Sequence, residues 1–370
     1  MKIYLVGGAV RDMLMGLKPV DKDYVVTGAT PEEMLALGYQ QVGANFPVFL
    51  HPETREEYAL ARTEIKNGNG YQGFECHFGP EVTLEEDLAR RDLTINAMAK
   101  DIETGEIIDP FNGQEDIKNK ILRATTEYFK EDPVRVLRLA RFLARFGPEW
   151  CVASETTQFV FDLYDSGELK HLTPERIWKE LEKALSESYT QEFFWYLQDM
   201  GLFPEYDAGY GVEQPPQWHP EGDVFNHQQE CLRVAARAKP LIKFAVMVHD
   251  FGKAVVYRRT GKLYGHEDAG VPVVDSFCDR LKIPNEYRKI GKITAKYHTH
   301  IHNIEKLKPK TIYKVIESTK AFVDRDVFDK FLMACAFDAG GRGTISFYPQ
   351  FWFAVKALDA AGGVDTMEIS

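Results

Sequence analysis

The chain has 370 residues, of which 44% are apolar and 27% are charged. It is therefore long enough for two or three domains and has the composition of an ordinary soluble protein. No apolar run reaches the length of a membrane span, and the first residues lead directly into a strand without a signal or transit segment. The five cysteines form no Cys-x-x-Cys pair. We therefore expect a reduced, cytoplasmic protein.

The net charge of −11, taken alone, argues against a nucleic-acid partner. The distribution of charge modifies this conclusion, because residues 117–145 contain eight basic residues and only three acids. A locally basic surface on an acidic protein can still bind RNA phosphates.

Short strands and helices alternate in the first third of the chain. We expect strands at residues 3–6, 23–26, 40–42, 48–50 and 57–62 and a helix at 31–37. Helical patterns dominate from about residue 128 onward. The predicted fold class is α+β, in five segments: a head with a small mixed sheet (1–125), a helical neck (126–203), a linker rich in Pro and Gly (204–220), a second helical domain (221–345) and a tail (346–370).

The first motif combines a glycine pair, a basic residue and two acids. Gly7 and Gly8 follow a buried strand and allow the backbone to approach a phosphate, and Arg11 lies at the start of a helix, where free amides favour an anion. Asp21 and Asp23 have strand spacing, so we expect both carboxylates on one face. Two adjacent carboxylates repel each other unless a cation such as Mg²⁺ lies between them. The motif predicts two-metal chemistry on a nucleoside triphosphate.

An amphipathic helix rich in arginine is predicted after Asp132, which suits the N-cap position, and Pro133, which suits the first turn. Its apolar positions would face the core, and its arginines would lie on the opposite side: Arg135, Arg138, Arg141 and Arg145. Asp132 only accepts hydrogen bonds and Arg135 only donates them. Cytosine and adenine both present an amino donor beside a ring-nitrogen acceptor, whereas uracil and guanine present the reverse. This pair would therefore accept C and A without a nucleic-acid template.

Five motifs in this order identify a resemblance: GGAVRD at 7–12, DKD at 21–23, RRDLTIN at 90–96, DPFNG at 109–113 and EDPVR at 131–135. The chain resembles the class II, bacterial-type CCA-adding tRNA nucleotidyltransferases of the DNA polymerase β superfamily. The resemblance implies a polymerase-β-like head, and the addition of C, C and A to the 3′ end of tRNA from CTP and ATP. It also implies a monomer or homodimer.

The resemblance also implies roles for individual residues. Asp21 and Asp23 would hold Mg²⁺, and Gly8 and Arg11 would bind the triphosphate. Arg91, Arg138 and Arg141 would make further nucleotide contacts, Asp92 would lie near the ribose 2′-hydroxyl, and Asp132 and Arg135 would read the base. Residues 109–116 would form the hinge that switches the base pocket. LTPERIW at 172–178 resembles a further family motif, although a capped helix explains it equally well. Glu57 is a weak candidate for a third metal carboxylate.

A second group of candidate site residues lies in the C-terminal half of the chain and comprises His227, His249, Asp250 and Asp338. It resembles the HD phosphohydrolase pattern, in which a divalent transition metal such as Ni²⁺, Mn²⁺ or Co²⁺ activates water. The resemblance implies a phosphatase, 2′,3′-cyclic phosphodiesterase or 2′-nucleotidase activity. The additional candidate ligands, most of which we expect to lie outside the metal's direct ligand set, are His266, His298, His300 and His302.

Three alternative functions stay open. The first is a poly(A) polymerase or an enzyme that adds only CC or only A, although a poly(A) polymerase should have a basic tail and this chain ends on acidic and neutral residues. The second is a phosphohydrolase that keeps its head for RNA binding, and the third is a non-catalytic RNA chaperone. Asp21 and Asp23 argue against the last two, because a head that only binds has no need of paired metal carboxylates.

Overall fold

The computed structural model describes residues 1–42, 48–66, 74–343 and 347–363. It contains two compact units. Unit 1 comprises Met1–Leu139 and Pro148–Leu172, and unit 2 comprises Ala140–Gly147 and Thr173–Ser370. One division falls within the arginine-rich helix α5 (Val134–Phe146), so the limits of the two units do not coincide with the predicted domain boundaries at 125 and 203.

Unit 1 contains the mixed sheet that the sequence predicts. Its strands are β1 (Lys2–Val6), β2 (Asp23–Thr27), β3 (Gln40–Val42), β4 (Val48–Leu50), β5 (Glu57–Leu60), β8 (Ala99–Asp101) and β9 (Ile107–Ile108). They follow the order β3-β4-β5-β2-β1-β8-β9, with β2 and β5 parallel and the other pairs antiparallel. The predicted strand at 57–62 is wrong at its end, because β6 (Arg62–Lys66) leaves the sheet and pairs with β7 (Phe74–Phe78).

The helices of unit 1 differ in how their first turns are capped. They are α1 (Gly8–Leu14), α2 (Pro31–Ala36), α3 (Leu84–Ala89), α4 (Gly113–Asn119), the first part of α5 (Val134–Phe146) and α6 (Ser154–Asp165). Thr30 and Thr83 each form a capping box, with Glu33 and Glu86 respectively, which satisfies free amides of the first turn. Two short strands, β10 (Ile121–Leu122) and β11 (Cys151–Val152), pair in parallel, so a strand interrupts the helices that the sequence predicts after residue 128.

Unit 2 is built from helices. They are the end of α5 followed by α7 (Pro174–Ser186), α8 (Thr190–Tyr196), α9 (Pro204–Asp207), α10 (Val224–Val234), α11 (Pro240–Val248), α12 (Phe251–Thr260), α13 (His266–Leu281), α14 (Asn285–His302), α15 (Pro309–Ser318), α16 (Arg325–Gly341) and α17 (Pro349–Gly362). None of the helices in the described ranges combines the length and the apolar character that crossing a membrane requires.

The predicted linker at 204–220 is folded within unit 2. Tyr206 and Val212 are 1% and 4% exposed, and the backbone of Val224 donates a hydrogen bond to the carbonyl oxygen of Val212. The prolines and glycines of this segment form tight turns inside a packed structure, which composition alone does not distinguish from a linker. In the predicted tail, α17 extends to Gly362, and the acidic end at 364–370 lies outside the described residues.

Candidate functional site

The glycine pair lies where β1 ends and α1 begins. Gly7 adopts a φ of +68°, and a Cβ at this position would lie 3.0 Å from Nη1 of Arg91. Only glycine satisfies both constraints without strain. α1 then begins at Gly8 and buries Arg11, which is 4% exposed. Nη2 of Arg11 lies 3.4 Å from a Cβ placed on Gly8. The guanidinium groups of Arg91 and Arg11 therefore both lie close to the glycine turn.

A chain of polar contacts connects α1 with α5. Nη1 of Arg11 donates to Oδ1 of Asn96 at 2.6 Å, and Nδ2 of Asn96 donates to Oδ1 of Asp92 at 3.0 Å. Arg138 donates through Nε to Oδ2 of Asp92 at 2.8 Å. Burial opposes the charge of Asp92, but Arg138 and the hydrogen bond from Asn96 outweigh it and hold the pKa of this carboxyl well below its usual range. Asp92 therefore stays ionised and orients Arg138.

The acidic pair lies at the same edge of the sheet as the glycine turn. Asp23 is the first residue of β2 and pairs with Val6, which directly precedes Gly7. Asp21 lies before the strand, in a bend, so strand alternation does not by itself align its carboxylate with that of Asp23, and the shared face stays a prediction. The two carboxylates still interact. Although Asp23 is exposed as a whole residue, partial desolvation of its carboxyl by neighbouring atoms raises its pKa most, Arg91 lowers it, and the charge of Asp21 raises it further.

The chemistry of this donor set fits a hard divalent cation. Asp21 and Asp23 are both exposed, and two interacting carboxylates are ligands that Mg²⁺ accepts while it retains several waters. On the parallel neighbour strand, Glu57 lies in register with Asp23 and is also exposed. In-register residues of adjacent parallel strands point to the same face, so Glu57 stays a candidate for a third carboxylate.

Asp87 is a residue that the sequence analysis did not identify. It is fully buried and accepts hydrogen bonds from Nη2 of Arg90 at 2.9 Å and from Nη2 of Arg91 at 3.0 Å. Burial opposes its ionisation, but Arg91 and Arg90 lower the pKa of Asp87 below its ordinary value. Asp87 therefore fixes the guanidinium that approaches the Gly7 turn. Its spacing of three and four residues from Arg90 and Arg91, which directly follow α3, was the available signal.

The predicted base-reading pair lies at the start of α5. Oδ1 of Asp132 accepts from the backbone amide of Val134 at 3.1 Å, as expected for an N-cap. Arg135 is half-buried. Its Nη1 and Nη2 atoms each donate to a carbonyl oxygen at 2.6 Å, those of Tyr128 and Arg90. Both side chains therefore have fixed positions on the same helix end.

Arg141 differs from the other arginines of α5. The helix pattern predicts it on an exposed face, but the side chain is buried, at 8% exposure. Nε of Arg141 donates to Oε2 of Glu180 at 2.7 Å, and both residues belong to unit 2. The expectation of an exposed stripe is therefore wrong for Arg141, because a carboxylate on α7 offers it a buried partner.

Two further predicted segments have ordered local contacts. In the predicted hinge, Asp109 accepts hydrogen bonds from the backbone amides of Gly113 and Gln114 at 2.7 and 2.8 Å. Asn112 adopts a φ of +59° directly before α4. In the motif at 172–178, Thr173 and Pro174 occupy the N-cap and first positions of α7, although the threonine side chain forms no capping hydrogen bond. The hinge role of residues 109–116 stays a prediction.

In unit 2, residues from four helices and from the junction of α11 and α12 form a histidine cluster. His227 lies on α10, and His249 and Asp250 lie between α11 and α12. His266 opens α13, His298 and His302 lie on α14, and Asp338 lies on α16. The four residues that the sequence predicts are each at most 1% exposed. A Cβ on Gly252 would lie 2.0 Å from the carbonyl oxygen of His266, so the close approach of α12 and α13 at this cluster requires glycine.

Hydrogen bonds fix the orientation of the imidazoles. Nδ1 of His249, His266 and His298 faces the carbonyl oxygens of Val246, Leu263 and Thr294 at 2.6, 2.9 and 3.0 Å. A carbonyl oxygen only accepts, so in each ring Nδ1 carries the proton and Nε2 presents a lone pair. Nδ1 of His227 lies 2.5 Å from Oε1 of Glu221, with the same consequence. This arrangement is typical of metal-binding histidines.

The lone pairs converge on two carboxylates. Nε2 of His227 lies 3.0 Å from Oδ1 of Asp338, and Nε2 of His249 lies 3.0 Å from Oδ2 of Asp250. The other oxygen of Asp250 lies 3.5 Å from Nε2 of both His266 and His298. Two of the additional candidates, His266 and His298, thus border the predicted four.

The other two additional candidates have different surroundings. Nε2 of His302 lies 2.5 Å from Oδ2 of Asp338, and the hydroxyl of Tyr348 lies 2.7 Å from Nδ1 of the same ring. Because a carboxylate only accepts, His302 donates to Asp338 and orients it. His300 is half-buried and is absent from the metal-competent groups found among the described residues.

Charged residues that the sequence analysis missed surround the cluster. Burial opposes the ionisation of Glu221, but hydrogen bonds from His227 and His219 lower its pKa to about 2. Lys253 donates to Oε1 of Gln214 at 2.6 Å and lies 2.7 Å from Oδ2 of Asp250. Nη2 of Arg342 donates to Oδ1 of Asp338 at 3.2 Å. The signal for Glu221 was weak, because it adjoins the segment predicted to be a linker.

Comparisons with known proteins agree with this architecture. The family described as Poly A polymerase head domain matches residues 3–123. The family described as probable RNA and SrmB-binding site of polymerase A matches residues 152–207. Among solved structures, a CCA-adding enzyme in apo form II is 21% identical with a TM-score of 0.63, and the alignment covers 97% of this chain and 78% of that chain.

Two further solved structures contain bound molecules. The Bacillus stearothermophilus CCA-adding enzyme in complex with CTP is 24% identical with a TM-score of 0.59. The Thermotoga maritima CCA-adding enzyme complexed with tRNA_CCA is 20% identical with a TM-score of 0.60. Each of these alignments covers 97% of this chain and 78% of the other.

The fold is that of a protein with a polymerase-β-like head followed by a mostly helical region. Residues 3–123 match the Poly A polymerase head domain family, and the chain has the fold of the solved CCA-adding enzymes. The resemblance predicted from the sequence is confirmed at this level. The HD domain stays a prediction.

Proposed function

We propose that this chain is a tRNA nucleotidyltransferase that adds C, C and A to the tRNA 3′ end from CTP and ATP, in the cytoplasm. The observation that carries the proposal is the juxtaposition at one sheet edge of Asp23, the Gly7 turn and the guanidinium of Arg91. The matching head family and the fold shared with enzymes solved with CTP and with tRNA_CCA support it.

In the proposed reaction, Asp21 and Asp23 hold Mg²⁺, which when bound stabilises the attacking and leaving oxygens of nucleotidyl transfer. Gly8 and Arg11 bind the triphosphate at the start of α1, where free amides already favour an anion. Arg91, held by Asp87, supplies positive charge beside the same turn. Such donors are fixed before the substrate arrives, so they stabilise developing charge without reorganisation.

The choice of nucleotide is assigned to the start of α5. Asp132 accepts from the amino group of cytosine or adenine, and Arg135 donates to the neighbouring ring nitrogen. Arg135 already donates to two carbonyl oxygens, which fixes the plane of its guanidinium. In the proposed complex, Asp92 would lie near the ribose. Asp92 also accepts a hydrogen bond from Nε of Arg138, which would orient this guanidinium toward the nucleotide. Arg141 binds the nucleotide only if its guanidinium leaves Glu180.

The transferase proposal is tested with purified protein and tRNA that lacks its last three nucleotides. Each NTP is supplied singly and in pairs, and the products are resolved by length. A CCA-adding enzyme extends the substrate by two residues with CTP and by a third when ATP is added. An A-tail of many residues favours the poly(A) polymerase alternative, and arrest after CC or dependence on a CC end favours a partial enzyme.

A second activity is proposed for the histidine cluster of unit 2. The convergence of the Nε2 lone pairs of His227 and His249 with Asp250 and Asp338 supports a divalent transition-metal site. Such an ion activates water when bound, so the site would hydrolyse phosphate esters as a phosphatase, 2′,3′-cyclic phosphodiesterase or 2′-nucleotidase. Loss of this hydrolysis in His249→Ala with Asp250→Ala, but not in His300→Ala, tests the proposal.

A further inference from the structure

Cys231 lies against the histidine cluster without a role in the proposal above. It is one turn after His227 on α10 and is 0% exposed. Its Sγ atom lies 3.4 Å from Nε2 of His227 and 3.7 Å from the carbonyl oxygen of Asp338. Within the described ranges, Cys231 is the one cysteine that belongs to a group of potential metal ligands, whereas Cys278 and Cys335 are buried elsewhere.

The distances among four donor atoms resemble the edges of a tetrahedron. The potential ligand atoms of His227, Cys231, His249 and Asp338 all lie within 4.8 Å of one another. Tetrahedral zinc with ordinary bond lengths separates nitrogen and sulfur by ~3.6 Å and nitrogen and oxygen by ~3.4 Å. The corresponding distances are 3.4 Å for His227 to Cys231, 3.0 Å for His227 to Asp338 and 3.7 Å for His249 to Asp338.

An independent observation points to a ligand at this position. Nε2 of His249 is fully buried and, among the described residues, makes no contact with hydrogen-bond geometry, although it lies 3.0 Å from Oδ2 of Asp250. That oxygen also lies 2.7 Å from the ammonium group of Lys253, so part of its charge is already neutralised. Both oxygens of Asp250 are likewise buried without a contact of hydrogen-bond geometry among the described residues, but it is the sulfur of Cys231 that lies within 4.8 Å of donor atoms of all three of His227, His249 and Asp338.

Resting on the proposed metal site of unit 2, we propose that Cys231 is a ligand and that His227, Cys231, His249 and Asp338 together bind one thiophilic divalent ion, such as Zn²⁺ or Co²⁺. The thiol gives its proton to solvent when the metal–sulfur bond forms. A thiolate favours soft and borderline metals over Mg²⁺ and Mn²⁺, which prefer oxygen. The buried charges then balance, because Lys253, Arg342 and the ion oppose Glu221, Asp250, Asp338 and the thiolate.

The test uses Co²⁺ bound to the full-length protein, because cobalt reports a thiolate ligand by a charge-transfer band in the near ultraviolet. The wild type should show this band, and Cys231→Ser and Cys231→Ala should both lose it while still binding Co²⁺ more weakly. Loss of a ligand should lower the affinity for Zn²⁺ by ~100-fold, with much less change for Mn²⁺. Cys278→Ser, which removes another buried thiol of unit 2, should behave as the wild type.

The outcomes separate this inference from the proposed metal site. If the wild type binds Co²⁺ through His227 and His249 without the band, Cys231 is not a ligand and the metal site stands. If neither the wild type nor His249→Ala binds Co²⁺, the proposed site itself is wrong. Circular dichroism of the serine and alanine variants identifies any loss of fold. If one of the two variants misfolds, the other still tests the role of Cys231.

Discussion

The two candidate metal sites of this chain differ in burial and in how they are assembled. Asp21 and Asp23 are exposed and lie two positions apart, with Asp23 as the first residue of β2 and Asp21 in the bend before it. His227 and Asp338 are buried and separated by 111 positions, and Nε2 of His227 lies 3.0 Å from Oδ1 of Asp338. The exposed pair suits a cation that arrives and leaves with its substrate, whereas the buried cluster suits a resident ion.

The largest expected effect is on the exposed pair. Asp23→Ala should lower the rate of nucleotide addition by ~10³-fold or more, equivalent to ~4 kcal/mol in the barrier, because a carboxylate that holds the metal is lost. The unfolding free energy should change little, since Asp23 is exposed. The measurement is single-turnover addition of CTP to tRNA that lacks CCA.

The matched control for this variant is Glu106→Gln, which removes another exposed carboxylate beside the same sheet. It should retain wild-type rates. Equal rates for Asp23→Ala and Glu106→Gln would reject the assignment of the transferase site.

Metal binding should stabilise the two units unequally. A resident ion present at ~1,000 times its dissociation constant adds ~4 kcal/mol to the unfolding free energy. Zn²⁺ or Co²⁺ should therefore raise the thermal transition of the wild type, but not that of His227→Ala. Mg²⁺ at the same concentration should raise it far less, because two exposed carboxylates hold it weakly without substrate phosphates. Equal shifts for the two metals would contradict the contrast between the sites.

Arg141 distinguishes a structural arginine from a nucleotide-binding one. Arg141→Ala leaves Glu180 buried without its main partner, so we expect a loss of ~3 kcal/mol in unfolding free energy by urea denaturation. Replacement of both residues by methionine should recover most of this loss. If Arg141→Ala is as stable as the wild type and weakens all four nucleotides equally, the residue binds phosphate as the sequence implied.

The smallest expected effect concerns nucleotide choice. A mismatched base in the pocket of Asp132 and Arg135 should cost ~1–3 kcal/mol, the range for an unpaired buried polar group. Arg135→Ala should therefore weaken CTP and ATP together and narrow the preference over UTP and GTP, measured as kcat/KM. Arg145→Ala, which also changes α5, should keep the preference. An unchanged preference in Arg135→Ala would assign base reading to other residues.

The sequence predicted those features that depend on residues close together in the chain. Alternation and turn residues predicted β1 to β4, and the spacing of Gly7, Gly8 and Arg11 predicted the strand-to-helix turn. Asp132 was predicted as a cap, and it accepts from the amide of Val134. Each of these features depends on local backbone geometry, which local sequence patterns report directly.

Features that depend on distant partners were not predictable. The exposure of Arg141 is decided by Glu180, 39 positions away, and the orientation of His227 is decided by Glu221 in a turn. The prolines and glycines at 204–220 resembled a linker because the pattern does not reveal that Tyr206 is buried. A helix pattern reports which side chains share a face, but not which of them meet a carboxylate from another helix.

The transferase site and the histidine cluster should act independently of each other. The most direct measurement follows extension of tRNA lacking CCA by wild type and by His249→Ala with Asp250→Ala, together with phosphate-ester hydrolysis by both proteins. We expect identical addition of C, C and A by both, and hydrolysis by the wild type alone. Loss of addition in the folded double variant would contradict the account, because the buried cluster would then be part of the transferase mechanism.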